Sequence, residues 1–239
     1  MARLARLAAA GQVHLLLQRG NNAQPVFVDR LDRETYLLAL REAAAAHQVA
    51  IHAYALTDSE VVLLATPADA RGLSRMMQSL GRRYVARFNR RHGRSGTLWD
   101  GRFRATVVEA EAHLSACVCF VELAPLRAGL ARESHEYPWT SARHHLGLAS
   151  DSLVSDHPLY WAIGNTPFER EAAHRQLLER GLTADQTRSI ADAVLKGWAL
   201  GPERFASMLE ELTRRRVRPG RRGRPRAAAT APLRRGESE

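Results

Sequence analysis

Apolar residues recur along this chain at two spacings, and the switches between them mark out the elements. Val13 to Gln18 is a short apolar run ending in Arg19-Gly20-Asn21-Asn22, the pattern of a strand entering a turn rich in donors. A helix follows, with Asp32 as its expected N-cap, Leu31 and Tyr36 as the partners of a hydrophobic staple, and an end near His47. Val49 to Leu56 and Val61 to Thr66 predict two strands joined by Thr57-Asp58-Ser59. Leu73, Met76, Met77, Leu80, Tyr84 and Phe88 then recur at helical spacing behind Asp69, the expected N-cap of a second helix. Thr97 to Glu109 predicts a fourth strand, bent at Gly101, and Glu111 to Leu123 a third helix before Pro125.

Strand, helix, strand, strand, helix, strand, helix is the order of an α+β fold, a ferredoxin-like antiparallel sheet with covering helices. We assign it to residues 1–146. Pro138 to about Asn165 reads as irregular. Helical patterning returns at Phe168 to Arg180, Ala184 to Lys196 and Pro202 to Leu212, so 147–213 is expected to form a small C-terminal helical region and 214–239 a disordered, arginine-rich tail.

Charge changes the picture more than composition does. The chain is 45% hydrophobic and 25% charged, ordinary values for a globular protein, and its net charge is +10. The residues after Thr213 carry +8 and Arg82 to Arg104 another +7, so the remainder is about −5. An acidic chain with two arginine concentrations is suited to a polyanion. No apolar stretch approaches the ~20 residues of a membrane span, and the first residues lack the apolar segment of a secretion signal, so a cytoplasmic protein with no membrane partner is expected. Cys117 and Cys119 have no second pair to complete a zinc site and read as small buried residues. The ten histidines are scattered, and the adjacent His144 and His145 are expected to diverge on a helix.

Several segments together resemble the REP-associated tyrosine transposases, a branch of the single-tyrosine HUH transposases. They are Gln18-Arg-Gly-Asn-Asn22, His52-Ala-Tyr54, Met77-Gln-Ser-Leu-Gly-Arg-Arg-Tyr84, the long stretch Phe88 to Phe103, Glu122-Leu-Ala-Pro-Leu-Arg-Ala-Gly129 and Tyr137-Pro-Trp139. Gly197-Trp198 and Gly201-Pro-Glu-Arg-Phe205 resemble the family's C-terminal part. The resemblance implies a histidine pair on a central strand that holds Mg²⁺ or Mn²⁺ against a DNA phosphate, and a tyrosine that attacks it to leave a covalent 5′-phosphotyrosine. It implies single-stranded or hairpin DNA as the substrate.

The chain departs from that pattern at each catalytic position. Residues i and i+2 of a strand share a face, so a His-x-His pair can grip one ion. Alignment places the pair at Glu60 and Val62, and valine has no lone pair to give. The nucleophile falls at Phe120, which has no attacking oxygen, and a further ligand position at Ala124. We therefore expect no intact catalytic or metal site, no cofactor, and DNA binding without cleavage. The alternatives are an active strand-transfer enzyme that uses Glu60 with another nucleophile, and a decaying copy without a role.

The binding apparatus is retained. Arg82, Arg83, Arg87, Arg90, Arg91, Arg94, Arg102 and Arg104 suit phosphate oxygens, because guanidinium forks match them. Arg19, Asn21 and Asn22 sit where amides can read a base edge or hold a turn. Arg222, Gly223, Arg224 and Pro225 resemble an AT-hook, or belong to a basic tail that binds any nucleic acid. Related transposases include dimers, which leaves self-association open.

Overall fold

The computed structural model describes residues 7–219. Its elements are β1 (Val13–Arg19), α1 (Arg30–Ala46), β2 (Val49–Leu56), β3 (Glu60–Pro67), α2 (Gly72–Arg91), β4 (Arg104–Val108), α3 (Ala110–Glu122), α4 (Ala124–Arg127), α5 (Ala142–His145), α6 (Pro158–Trp161), α7 (Pro167–Arg180), α8 (Ala184–Lys196) and α9 (Glu203–Thr213). The four strands form one antiparallel sheet in the order β2-β3-β1-β4, the ferredoxin-like arrangement.

Strand alternation divides the core into two layers. Leu16, Val61, Leu63 and Ala65 pack against α1 and α2, where Tyr36, Tyr84 and Phe88 are fully buried. Leu15, Leu17, Val62 and Leu64 face the other way, onto α3 and α8. Residues 147–213 therefore do not stand apart as an appendage, because Ile190, Ala193 and Val194 of α8 complete the core on that face. The C-terminal half also covers both sheet edges. Leu56 N–H donates to Trp139 O at 2.9 Å and Ser155 N–H to Ile51 O at 2.7 Å along β2, while Glu109 N–H donates to Leu200 O at 2.8 Å beside β4. An uncovered edge would template pairing with other chains.

Three local expectations are corrected. Helix α1 is capped by Asp29, whose side chain accepts from Asp32 N–H at 3.1 Å, while Asp32 reaches back to Val28 N–H at 2.9 Å. The cap lies one turn earlier because the two aspartates serve each other's ends of the backbone. Leu31 is thus left exposed and staples nothing. Asp69 does not cap α2; it closes a turn through Arg71 N–H at 2.6 Å, and the helix begins at Gly72. The fourth strand starts only at Arg104, since Gly96 and Gly101 take positive φ and residues 97–103 wrap over the end of β1. There Asn21 N–H donates to Leu98 O at 2.9 Å and Asp100 N–H to Arg19 O at 2.8 Å.

Both cysteines are free and buried, and burial pushes their thiols up to about 12 for Cys117 and about 11 for Cys119, as inert thiols require. No helix among the described residues is long and apolar enough to cross a membrane.

Candidate nucleic-acid interface

The positions aligned with a catalytic centre do converge, but on packing. Val62 is fully buried, and Phe120 and Ala124 are buried with it in the layer shared with α8. Arg127 lies across the Phe120 ring, 4.1 Å from its centroid, and donates from Nη2 to Phe120 O at 2.5 Å. Burial lowers the pKa of that guanidinium, and Glu60 opposes the shift. Glu60 stands opposite Arg19 in the β1–β3 register and accepts from its Nε at 2.6 Å. One carboxylate already held by an arginine, beside a valine, a phenylalanine and an alanine, is not a donor set for Mg²⁺ or Mn²⁺. The residues present do not fit that ion.

A cleft of about 490 Å³ opens next to this pair, lined by Arg19, Gly20, Asn22, Ser59, Glu60 and Asp100 among others. Its floor depends on Gly20, where a Cβ would stand 2.2 Å from Gln24 O. Beyond it Asn22 and Ala23 both take positive φ in a tight 3₁₀ turn. The turn is held by backbone bonds, and the Asn21 and Asn22 side-chain amides make no hydrogen bond among the described residues.

The arginines separate into two groups. Arg83 pairs with Glu42, Arg91 with Asp29 and with buried Asp32, and Arg94 donates to Gln24 Oε1 at 2.9 Å beneath the Phe88 ring. The Arg91 bond holds the Asp29 carboxyl down to about 2. These three guanidiniums brace α2 against α1 and the turn after β1. Arg82, Arg87, Arg90, Arg102 and Arg104 are exposed, with no ion-pair partner among the described residues. A second hollow, about 470 Å³, runs beside α2 and adds Gln18, Arg71, Arg75, Gln78 and Phe103 to this surface. Sequence reasoning missed it, because its residues come from β1, α2 and the segment before β4. Arg222, Gly223, Arg224 and Pro225 lie outside the described residues.

Among solved structures, the chain is similar to a REP-associated tyrosine transposase bound to a REP hairpin. The TM-score is 0.51 and the identity 13%, over 66% of this chain and 99% of that one. The chain shares the fold of that transposase. A protein described as a transposase from Deinococcus radiodurans matches at 18% identity and a TM-score of 0.36, over 47% of this chain and 91% of that one. No protein-family model and no curated protein sequence matches.

On this transposase fold, five of the ten histidines gather behind α3, where sequence reading found them scattered. Glu122, fully buried at the end of α3, accepts from Ser141 Oγ at 2.6 Å, His145 Nδ1 at 2.6 Å and His174 Nε2 at 2.7 Å. Burial alone would raise its carboxyl, but His145 and His174 outweigh that and hold it far below the usual range. Burial likewise works against a charge on His145, yet Glu122 raises its pKa to about 9. His144 and His145 do not diverge: both rings turn toward Asp156. His52 and His157 stack edge-on alongside, 5.1 Å apart. Only Glu122 lay within one of the motifs, and nothing in sequence joins it to Ser141, His145, Asp156 and His174.

Proposed function

We propose that the protein binds single-stranded or hairpin DNA through α2 and the cleft after β1, and that it does not cleave the strand. The observation that carries this reading is a contrast: the nucleophile and ligand positions are closed into an apolar core, while Arg82, Arg87, Arg90, Arg102 and Arg104 stay exposed and without ion-pair partners among the described residues. A row of guanidiniums follows a phosphate backbone, and the unpaired amides of Asn21 and Asn22 can meet base edges at one end of it. The hairpin-bound protein of the same fold supports hairpin DNA as the ligand class. No cofactor is required, since binding of this kind is electrostatic and works by counterion release. The expected tail does not begin at Arg214, since Val217 is fully buried and Arg218 pairs with Glu203 and Glu210; the arginines from Arg221 onward add a sequence-independent contribution by their charge.

One oligonucleotide series tests both halves. The protein is expected to bind a DNA hairpin with a 5′ single-stranded extension at low salt, with affinity falling steeply as salt rises. Incubation with Mg²⁺ or Mn²⁺ is expected to leave the strand intact and form no covalent adduct on a denaturing gel. Absence of binding to hairpin, single-stranded and duplex DNA at low salt would sink the first half, and a metal-dependent adduct the second.

A further inference from the structure

We propose that His144, His145 and Asp156 form a binding site for a divalent transition metal of the zinc type, separate from the lost catalytic centre. Asp156 Oδ1 is shut off from solvent and has no hydrogen-bond partner, an expensive state for a carboxylate oxygen. It lies 3.4 Å from His144 Nε2 and 3.6 Å from His145 Nε2, longer than an ordinary hydrogen bond, and one ligand atom from each of the three residues falls within 4.8 Å of the other two. Tetrahedral zinc with bonds near 2.0–2.1 Å sets its ligand atoms about 3.4 Å apart. The gap that is too wide for a proton is therefore the right width for an ion.

The surroundings are those of a ligated histidine. His145 donates its Nδ1 hydrogen to Glu122 at 2.6 Å, which aims Nε2 at Asp156, and Glu122 is itself fixed by Ser141 and His174. A carboxylate behind a histidine orients the ring and raises its basicity toward a metal. Two imidazoles and one carboxylate select zinc-like ions over Mg²⁺ or Ca²⁺, which take oxygen donors. The glutamate–histidine contacts are shorter, 2.6 and 2.7 Å, and suit hydrogen bonds, so the ion belongs on the Asp156 side. Ligation displaces the ring hydrogens from both Nε2 atoms. It also costs the 3.2 Å bond from Asp151 N–H to His144 Nδ1, which must carry the hydrogen once Nε2 holds the ion. Three protein ligands leave the fourth position to water. An ion there would clamp α5 to the residues before α6, within the segment that covers the β2 edge.

The test uses the full, untagged chain. After treatment with EDTA and desalting, one equivalent of Zn²⁺ is expected to bind per chain by calorimetry and to raise the melting temperature. Co²⁺ is expected to give the intense visible absorption of a tetrahedral site. Asp156→Asn, which preserves size, and His144→Ala are each expected to weaken binding at least tenfold, with His47→Ala as an unaffected control. Failure of the wild-type chain to bind stoichiometric Zn²⁺ would overturn the proposal, as would unchanged affinity in a folded Asp156→Asn variant. If a variant does not fold, the wild-type stoichiometry and Co²⁺ spectrum decide alone.

Discussion

Arg19 and Glu60 stand opposite each other at the ends of β1 and β3 and close a 2.6 Å ion pair at the mouth of a polar cleft. The Glu60 carboxylate neutralises an arginine that is otherwise placed to meet phosphate. Glu60→Gln is expected to free Arg19 and remove a negative charge, strengthening hairpin binding about two- to threefold at low salt. Stability should change by less than about 1 kcal/mol, as for a solvated pair. Filter binding and a urea titration check the two effects. Weaker binding would show that Glu60 itself assists the ligand.

Val62 and Phe120 are committed to packing, and restoring catalytic residue types there is expected to cost structure without returning activity. Val62→His brings extra volume and a polar ring into a position with no solvent exposure, a loss of about 2–4 kcal/mol. Phe120→Tyr is expected to form no adduct with Mn²⁺ present. Denaturant unfolding and a denaturing gel with labelled hairpin read the two outcomes.

The division of the arginines predicts a division of effects. Replacing Arg82, Arg87 and Arg90 together with alanine should weaken DNA binding and reduce the salt slope by about 0.7 per lost phosphate contact on a single strand. Its melting temperature should stay near that of the parent. Arg91→Ala should do the reverse, lowering the melting temperature because buried Asp32 and the α1 cap lose their guanidinium. Binding isotherms at several salt concentrations, paired with thermal melts, distinguish the groups.

Glu122 is expected to be the most sensitive position behind α3. Glu122→Ala removes the acceptor of three hydrogen bonds and leaves two buried imidazoles facing each other, a cost of about 3–5 kcal/mol in urea unfolding. Glu122→Gln should fall between, since an amide has one oxygen to offer two rings and a hydroxyl.

His14 gives the fold an acid limit. The buried ring donates from Nδ1 to Gln12 O at 2.7 Å and accepts Ala9 N–H at its Nε2 at 3.2 Å, an arrangement only the neutral form can make. Burial lowers its pKa from 6.5 to about 4, and burial does the same to His52. Each ring therefore contributes its full share of stability above pH 6.5, and that share drains away as pH falls from 6.5 toward 4, at most about 3 kcal/mol apiece. Unfolding free energy measured between pH 4 and 7 should rise with a slope near two protons, and His14→Gln should reduce it toward one.

Much of this architecture was legible because it is local. The stripe Leu73 to Phe88 fixed the buried face of α2, and the apolar run Val49 to Leu56 matches β2 end to end. The cap of α1 was misplaced by three residues, because only the bonds from Asp32 N–H to the Asp29 carboxylate and from Val28 N–H to the Asp32 carboxylate decide it. The extended look of Thr97 to Phe103 was only partly right, because Trp99 makes a single antiparallel bridge to Gly20, Gly101 then turns the chain, and the ladder resumes only at Arg104. Glu60, Val62, Phe120 and Ala124 could be singled out from motifs, yet the burial of the last three in the layer shared with α8 could not. The histidine cluster was invisible for the same reason: it joins α3, α5, the residues before α6, and α7, and no spacing rule spans them.

The packing of α8 onto β1 has a consequence for how the chain is made. Val13, Leu15 and Leu17 are synthesised more than 160 residues before Ile190 and Val194, which cover them. Such contacts of high sequence separation form slowly, and until they form one side of a nearly complete sheet presents valine and leucine to solvent or to chaperones. Truncation before Ala184 should therefore leave a chain that pairs its strands yet aggregates as it is translated, and the efficiency of folding should depend on the elongation rate across the C-terminal third.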